Sequence, residues 1–473
     1  MLFNSTPYFF FFLAVLLGAI LLRQRLTTRT IFLLLASYVF YASNNGWLLT
    51  LILASTCIDY AAGLWIAQSK SQRGRKAALI TSVATNLGIL GYFKYIDFFR
   101  ETVAAGASAL GLNLGWVDLN ILLPVGISFY TFQSMSYTID VYRGTIPVER
   151  SWFRFAFYVA YFPQLVAGPI MRASYFLPQV EKVHKLSIDD VEAGVFLICR
   201  GLFKKIVIAD FLAIYADYAF GLGAGVSAVD LWIGLYAFTL QIYFDFSGYT
   251  DIALGCSRLL GYRIPENFMR PYAALGFSDF WQRWHISLSS WLRDYLYISL
   301  GGNRQGHWKT YRNLMLTMLL GGLWHGAGWQ FVLWGFMHGT YLCIERWLGL
   351  AKSVPDSLTR RTIKRLIIFH CVVLTWLPFR AESLSDVIEY LQRMVQFHSD
   401  FLINTGMVGV VLVATATLAM QWYTDEVERH ELTAIDWIKG RLFISKAAVY
   451  GIAATVIVIA NAKGAQPFIY FQF

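Results

Sequence analysis

The sequence predicts an all-α, polytopic integral membrane protein, and three observations carry that prediction. Of 473 residues, 57% are hydrophobic and 14% charged, against about 25% charged in soluble domains. Apolar runs long enough to cross a hydrocarbon core about 30 Å thick recur from end to end, about a dozen in all. The basic residues fall in short segments between those runs, which is the bias of cytoplasmic loops.

In chain order, residues 8–22, 47–67, 77–93, 402–422 and 447–460 are such runs. Residues 1–22 have no basic leading region and no small-residue cleavage site, so they predict a retained first helix rather than a signal peptide. Arg23, Arg25 and Arg29 follow that helix, and Lys70, Arg73, Arg75 and Lys76 follow the run at 47–67, while residues 43–46 carry no charge. The N-terminus is therefore predicted outside, in the periplasm, with the basic loops in the cytoplasm. Lys352, Arg360, Arg361, Lys364 and Arg365 predict a further cytoplasmic loop by the same rule. The net charge of +10 is then a matter of orientation, and no nucleic-acid partner is expected.

Around residues 380–400, Asp386, Glu389 and Arg393 alternate with Val387, Ile388, Leu391 and Met394 at a spacing that suits an amphipathic helix on the membrane surface. There is no fixed repeat, linker or second soluble domain, so residues 1–473 are expected to form one membrane domain ending in a tail at 464–473. Cys57, Cys199, Cys256, Cys343 and Cys371 are scattered through apolar stretches without CxxC spacing. They are expected in the core, with neither a disulfide frame nor a metal site.

Chemistry is expected where the apolar pattern breaks. In "FWQRWHISLSSWLRDYLYISLGGNR", residues 280–304, a continuous helix would bring Gln282, His285, Ser289 and Arg293 near one face. A polar stripe at membrane depth faces a bundle interior or a wet cavity. His285 lines such a space or makes an interhelical hydrogen bond, and both readings stand. In "GGLWHGAGW", residues 321–329, His325 sits among four glycines, which weaken a helix and admit another backbone or a ligand. Imidazole is also the side chain suited to removing a proton near neutral pH. The alternative is a structural His325. His338 reads as a packed helix residue. Residues 161–172 and 262–272, which carry Pro163, Pro169, Pro265 and Pro271, and residues 244–255 read as re-entrant loops, with Asp245 and Asp251 paired or wet.

The segments at 280–304 and 316–339 together resemble the bacterial branch of the membrane-bound O-acyltransferases. The likeness extends to "ILLPVGISFYTFQ", "LVAGPIMR", "GLFKKIVIAD" and "IPENFMRPY" and covers nearly the whole chain. Related sequences often carry Arg where Gln282 stands. The resemblance implies a ring of about 11–14 helices around a central tunnel, with His325 deep inside and His285 nearby. Gln282, Ser289, Arg293, Asn303 and Trp324, in or beside these two segments, are expected to bind substrate. The implied work is to take an acyl group from a cytoplasmic thioester and deliver it across the bacterial inner membrane. For acetylating members the donor is acetyl-CoA, a substrate rather than a resident cofactor; for a D-alanylating relative it is a carrier protein's phosphopantetheine arm. The nearer likeness, in length and in "YISLGGNR", is to the alginate-type acetylases, with peptidoglycan, cellulose or teichoic acid as other acceptors.

The chain ends "AQPFIYFQF", and its last apolar run starts after Lys439, Arg441 and Lys446, so the tail is predicted to emerge outside. Ten residues extend at most about 33 Å, enough to reach back toward the midplane. Phe468 and Phe473 would anchor the tail and Tyr470 would point inward. Related systems have a similar Phe-x-Tyr-x-x-Phe ending that resembles an acyl relay. A phenol ionises far more readily than a sugar hydroxyl. The implied roles are His325 as general base, His285 as an assisting group and Tyr470 as acetyl acceptor, before a periplasmic O-acetyltransferase partner acts on polysaccharide. Tyr470 as an interfacial aromatic anchor is the competing reading. A proton-coupled transporter, or an enzyme using long-chain acyl-CoA on lipid or protein, are the rival functions.

Overall fold

A computed structural model describes residues 1–43, 45–115, 119, 121, 123–183, 185–223, 225–350, 355–396, 405–429 and 466–469. Every regular element among them is helical. Three described helices are long and apolar enough to cross a bilayer, namely Gly46–Gln68, Leu358–Arg380 and Gly406–Val427, and Thr6–Leu21 and Leu26–Ala42 are shorter apolar helices. The all-α membrane class is borne out. The expected run at 447–460, Tyr470 and Phe473 lie outside the described residues, as does Lys352.

The chain packs as two units, residues 1–198 with 252–265 and residues 199–251 with 266–473. In the first unit, the helices Leu49–Gln68, Gln72–Leu90 and Ile127–Arg143 are joined by polar groups that apolar side chains seal from solvent. Asp59, fully buried, accepts from Asn86 Nδ2 at 2.9 and 3.0 Å and from Thr138 Oγ1 at 3.2 Å, and also from Ser82. Buried polar groups are stable only when satisfied in this way. Arg29 departs from the expectation of a loop cation. It lies in the helix Leu26–Ala42 and is buried, where its guanidinium donates to Tyr262 Oη at 3.1 Å and to the Leu260 carbonyl. Cys256 is buried against Tyr8, whereas Cys57 is exposed; all five cysteines are free thiols.

Residues 161–172, expected to be an irregular re-entrant segment, buried or lining a cavity, are irregular apart from the one-turn helix Phe162–Leu165, and all but Val166 and Arg172 are buried. Of residues 262–272, expected to be a similar loop, 262–270 are non-helical with Arg263, Glu266 and Met269 exposed, and Pro271 opens a 3-10 turn, Pro271–Ala273. Residues 244–255 are not a loop, because they lie within one long helix, Ala228–Leu259. No proline interrupts that stretch, and its glycines serve close packing instead of a turn.

The second unit buries an apolar core that includes Leu235, Phe238, Trp334, Trp376 and Phe379. Arg365 corrects the second charge-based expectation. It sits in the helix Leu358–Arg380, is 1% exposed, and bonds Asp425 at 2.7 Å and Glu426 at 2.8 Å. A cation in an apolar helix must find such partners inside the protein. The amphipathic helix expected near 380–400 is present as Leu384–Met394. It is capped by Ser383 and Asp386 and buries Val387, Tyr390 and Met394 on one face.

Candidate active site

The segment 280–304 is not one helix. The helix Phe277–Arg283 stops, Trp284 is extended, and His285 takes a left-handed conformation, φ +42°, before a second helix runs from Ile286 to Trp291. A left-handed non-glycine residue is strained by about 1–2 kcal/mol. The neighbouring chain holds it there. The Asn267 carbonyl accepts Ile286 N–H at 3.0 Å, Asn267 Oδ1 accepts Ser287 N–H at 3.1 Å, and Met269 N–H donates to the Arg283 carbonyl at 2.9 Å. Glu345 caps the preceding helix by accepting the N–H groups of Phe277 and Ser278 at 2.8 and 2.9 Å.

His325 is the last residue of the helix His307–His325, which Gly326 ends by turning extended before the helix Trp329–Trp347 begins. These two helices approach backbone to backbone. A Cβ on Gly322 would lie 2.2 Å from the Phe331 carbonyl oxygen, and one on Gly335 would lie 2.4 Å from that of Met318. The glycines therefore admit another backbone, one of the two uses expected of them.

The imidazoles of His285 and His325 both contact one indole, that of Trp324. The Trp324 ring centroid is 6.0 Å from that of His285 and 5.0 Å from that of His325. Phe246 packs edge-on against His285 at 4.8 Å, and Trp334 and Phe379 enclose His325 at 5.0 and 5.1 Å. His285 is 0% exposed and His325 5%. Both imidazoles are thus held in a largely aromatic surround. Water is largely excluded there, which strengthens electrostatic contacts to any reacting group.

The expected single polar face is not formed, because the turn at His285 redirects the chain beyond it. Ser289 is half-buried and its hydroxyl returns to the Ile286 carbonyl at 3.2 Å. Gln282, Arg293 and Asn303 are at exposed positions, and Arg293 bonds its neighbour Asp294 at 2.7 Å. Of the expected substrate-binding residues, Trp324 alone is placed against both histidines by ring contacts of the described residues. His338 is buried among Trp334, Trp281 and Phe280, the packed helix position expected of it.

Sequence reasoning did not assign Asn267 or Glu345. Glu345, a carboxylate inside an apolar helix, carried the signal that marks intramembrane ionisable residues. Asn267 lay in a stretch read only as irregular. Asp245 and Asp251 are paired as expected, Asp245 with Lys205 at 2.6 Å and Asp251 with Arg200 and Lys204 at 2.6 and 2.7 Å. In the tail, Phe468 is buried edge-on against Tyr249 at 5.1 Å, and Ile469 is buried beside it. No group of His, Cys, Asp and Glu that would hold a metal occurs among the described residues.

Residues 145–377 match the model of the membrane-bound O-acyltransferase family. Over 461 residues the chain is 40% identical to a Pseudomonas putida protein named "Probable alginate O-acetylase", spanning 92% of this chain and 93% of that one. It is 32% identical over 489 residues to the peptidoglycan O-acetyltransferase of Helicobacter pylori, spanning 92% and 90%. Identity to the teichoic acid D-alanyltransferase of Bacillus subtilis is 29% over 273 residues, spanning 54% of this chain and 67% of that one.

Proposed function

This chain belongs to the membrane-bound O-acyltransferase family, and from that premise we propose that it moves acetyl from cytoplasmic acetyl-CoA across the bacterial inner membrane for O-acetylation of an exopolysaccharide such as alginate. The observation that carries this reading is the pair of buried imidazoles, His285 and His325, that share contact with Trp324. The N-terminus faces the periplasm, where a partner O-acetyltransferase takes the acetyl group onward.

His325 acts as general base and His285 orients or assists. The acceptor is the Tyr470 phenol, which lies outside the described residues and is assigned from the sequence. His325 takes the phenolic proton as the oxygen bonds to the thioester carbonyl carbon. The carbon–sulfur bond breaks, and the leaving thiolate recovers that proton from the imidazolium. The aryl acetate is still activated, so a sugar hydroxyl displaces it: a new ester bond forms, the phenolic oxygen leaves, and the hydroxyl proton returns to it. Greater identity to the alginate-type relative than to the peptidoglycan and teichoic acid relatives favours an alginate-like acceptor.

Intact-mass analysis of purified protein after incubation with acetyl-CoA tests the route. Wild type is expected to gain one acetyl group, and His325→Ala and Tyr470→Phe are expected to gain none. An adduct that persists in Tyr470→Phe removes the relay, and one that forms normally in His325→Ala removes the base. Labelled acetyl-CoA and palmitoyl-CoA supplied side by side separate this reading from long-chain acylation. A transporter would release no CoA.

A further inference from the structure

A lysine buried in the second unit has all three of its ammonium hydrogens directed at acceptors, and one of those acceptors belongs to the C-terminal tail. Lys205 Nζ lies 2.8 Å from Asp210 Oδ1, 2.6 Å from Asp245 Oδ1 and 2.9 Å from the carbonyl oxygen of Pro467. An ammonium has three donors and no more. The other oxygen of Asp245 accepts the backbone N–H of Ile469 at 2.8 Å. Between these two bonds, the Phe468 ring lies under the ammonium at 5.0 Å. Lys205 and Asp245 are 3% and 2% exposed. A buried ion pair is sound only when its remaining hydrogen-bonding capacity is filled, and the tail backbone fills one position on each partner.

Local structure explains how a lysine comes to be there. Residues Phe203–Ala209 form a π-helical segment, a bulge that re-aims side chains and recurs at functional sites. The facing helix comes close at Gly248, where a Cβ would lie 2.8 Å from the Gly201 carbonyl oxygen and 3.3 Å from Lys205 N. The pair also lies one residue along the helix from a contact of His285. Asp245, which holds Ile469, is followed directly by Phe246, whose ring packs on His285.

We infer that Lys205 and Asp245 are a clamp that seats the C-terminal tail beside the imidazole pair, which makes both of them positioning residues for acyl transfer. The link to transfer rests on the proposed role of Tyr470, the residue after Ile469. The clamp itself rests only on contacts to residues 467–469.

The test uses the full-length protein in detergent or nanodiscs, with hydrogen–deuterium exchange of the C-terminal peptide read beside the kinetics of acetyl transfer. Lys205→Met and Asp245→Leu are expected to raise exchange of that peptide at least tenfold. They should lower kcat at least tenfold with KM for acetyl-CoA within about twofold. Lys205→Arg keeps a cation with several donors and is expected to restore most of the protection and the rate. Should the buried substitutions fail to fold, Ile469→Pro removes the tail's N–H donor while leaving the ion pair in place, and it should loosen the tail in the same way. Unchanged exchange in a folded variant overturns the clamp. Raised exchange with undiminished transfer upholds the clamp and overturns the Tyr470 relay instead.

Discussion

The side-chain oxygen of Asn267 accepts the backbone N–H of Ser287 at 3.1 Å, and its own carbonyl accepts that of Ile286 at 3.0 Å. One asparagine therefore ties down both amides that come after His285, whose left-handed backbone is uncommon for a residue with a side chain. Asn267→Ala removes the side-chain acceptor and leaves a buried N–H, at a cost of about 1–3 kcal/mol. Loss of the turn would misplace the imidazole and lower acyl transfer by about 10–100-fold. Asn267→Asp retains the acceptor and should recover much of the rate. Thermal melting and acetyl transfer measured together check this; full activity in Asn267→Ala would show that the turn holds itself.

The close approach of the two helices flanking His325 makes a second prediction. Gly322→Ala would drive a methyl to 2.2 Å from the Phe331 carbonyl oxygen, so backbone must move, at about 1–3 kcal/mol. His325 is one turn away and would move with it. Gly88→Ala, where nothing lies within 4 Å of the added carbon, serves as the control. That substitution is expected to be neutral or to stabilise by up to about 1 kcal/mol. Equal melting temperatures for the two variants would contradict the packing argument.

The parts of the fold legible in the sequence were those set by hydropathy and by glycine and proline. The apolar helices at 6–21, 49–68 and 405–429 follow from composition, and most of the irregular backbone within 161–172 and 262–272 follows from prolines, although Pro163 and Pro271 themselves sit in short helical turns. The proximity of His285 and His325 was implied by the family likeness, but its geometry was not. Periodicity assumed a helix through residue 285, and only tertiary bonds from Asn267 fix the turn. Charge patterning placed Arg29 and Arg365 in loops because sequence cannot show a distant partner. Each is held instead by groups more than fifty positions away, Tyr262 and Asp425. Lys205 was hidden for the same reason, since the residues completing its coordination come from three separate segments.

Asp190 gives the first unit a pH dependence outside the spans. The Ser187 hydroxyl donates to it at 2.7 Å, and Arg258 and Arg263 donate at 3.1 and 2.9 Å. Ser187 foremost, and then the two guanidinium groups, hold the carboxyl below its ordinary value. A depressed folded value contributes stability above the unfolded value of about 3.9, and that stability is lost as pH falls through the folded value. Asp190→Asn should therefore melt below wild type at pH 7, and the gap should close below about pH 4. A gap independent of pH would show that shape, not charge, matters at this cap.

Arg365 and Asp425 offer a test of how the charges of the second unit are apportioned. Asp425 bonds Arg365 at 2.7 Å and Arg283 at 2.8 Å, and all three are largely buried. Removing Arg365 leaves Asp425 to Arg283 and Glu426 to Arg361, each short of one charge-assisted partner, so Arg365→Met is expected to cost about 1–3 kcal/mol. The double variant Arg365→Met with Asp425→Leu strands nothing. Arg283 keeps Asp279 at 2.7 Å, and Glu426 keeps Arg361 at 3.0 Å. It should be more stable than Arg365→Met alone, a coupling of opposite sign to the single losses. Melting curves of wild type, both single variants and the double variant close the cycle. A double variant whose loss equals the sum of the singles would mean that each charge is held by its other neighbours and that the pair contributes no coupling of its own.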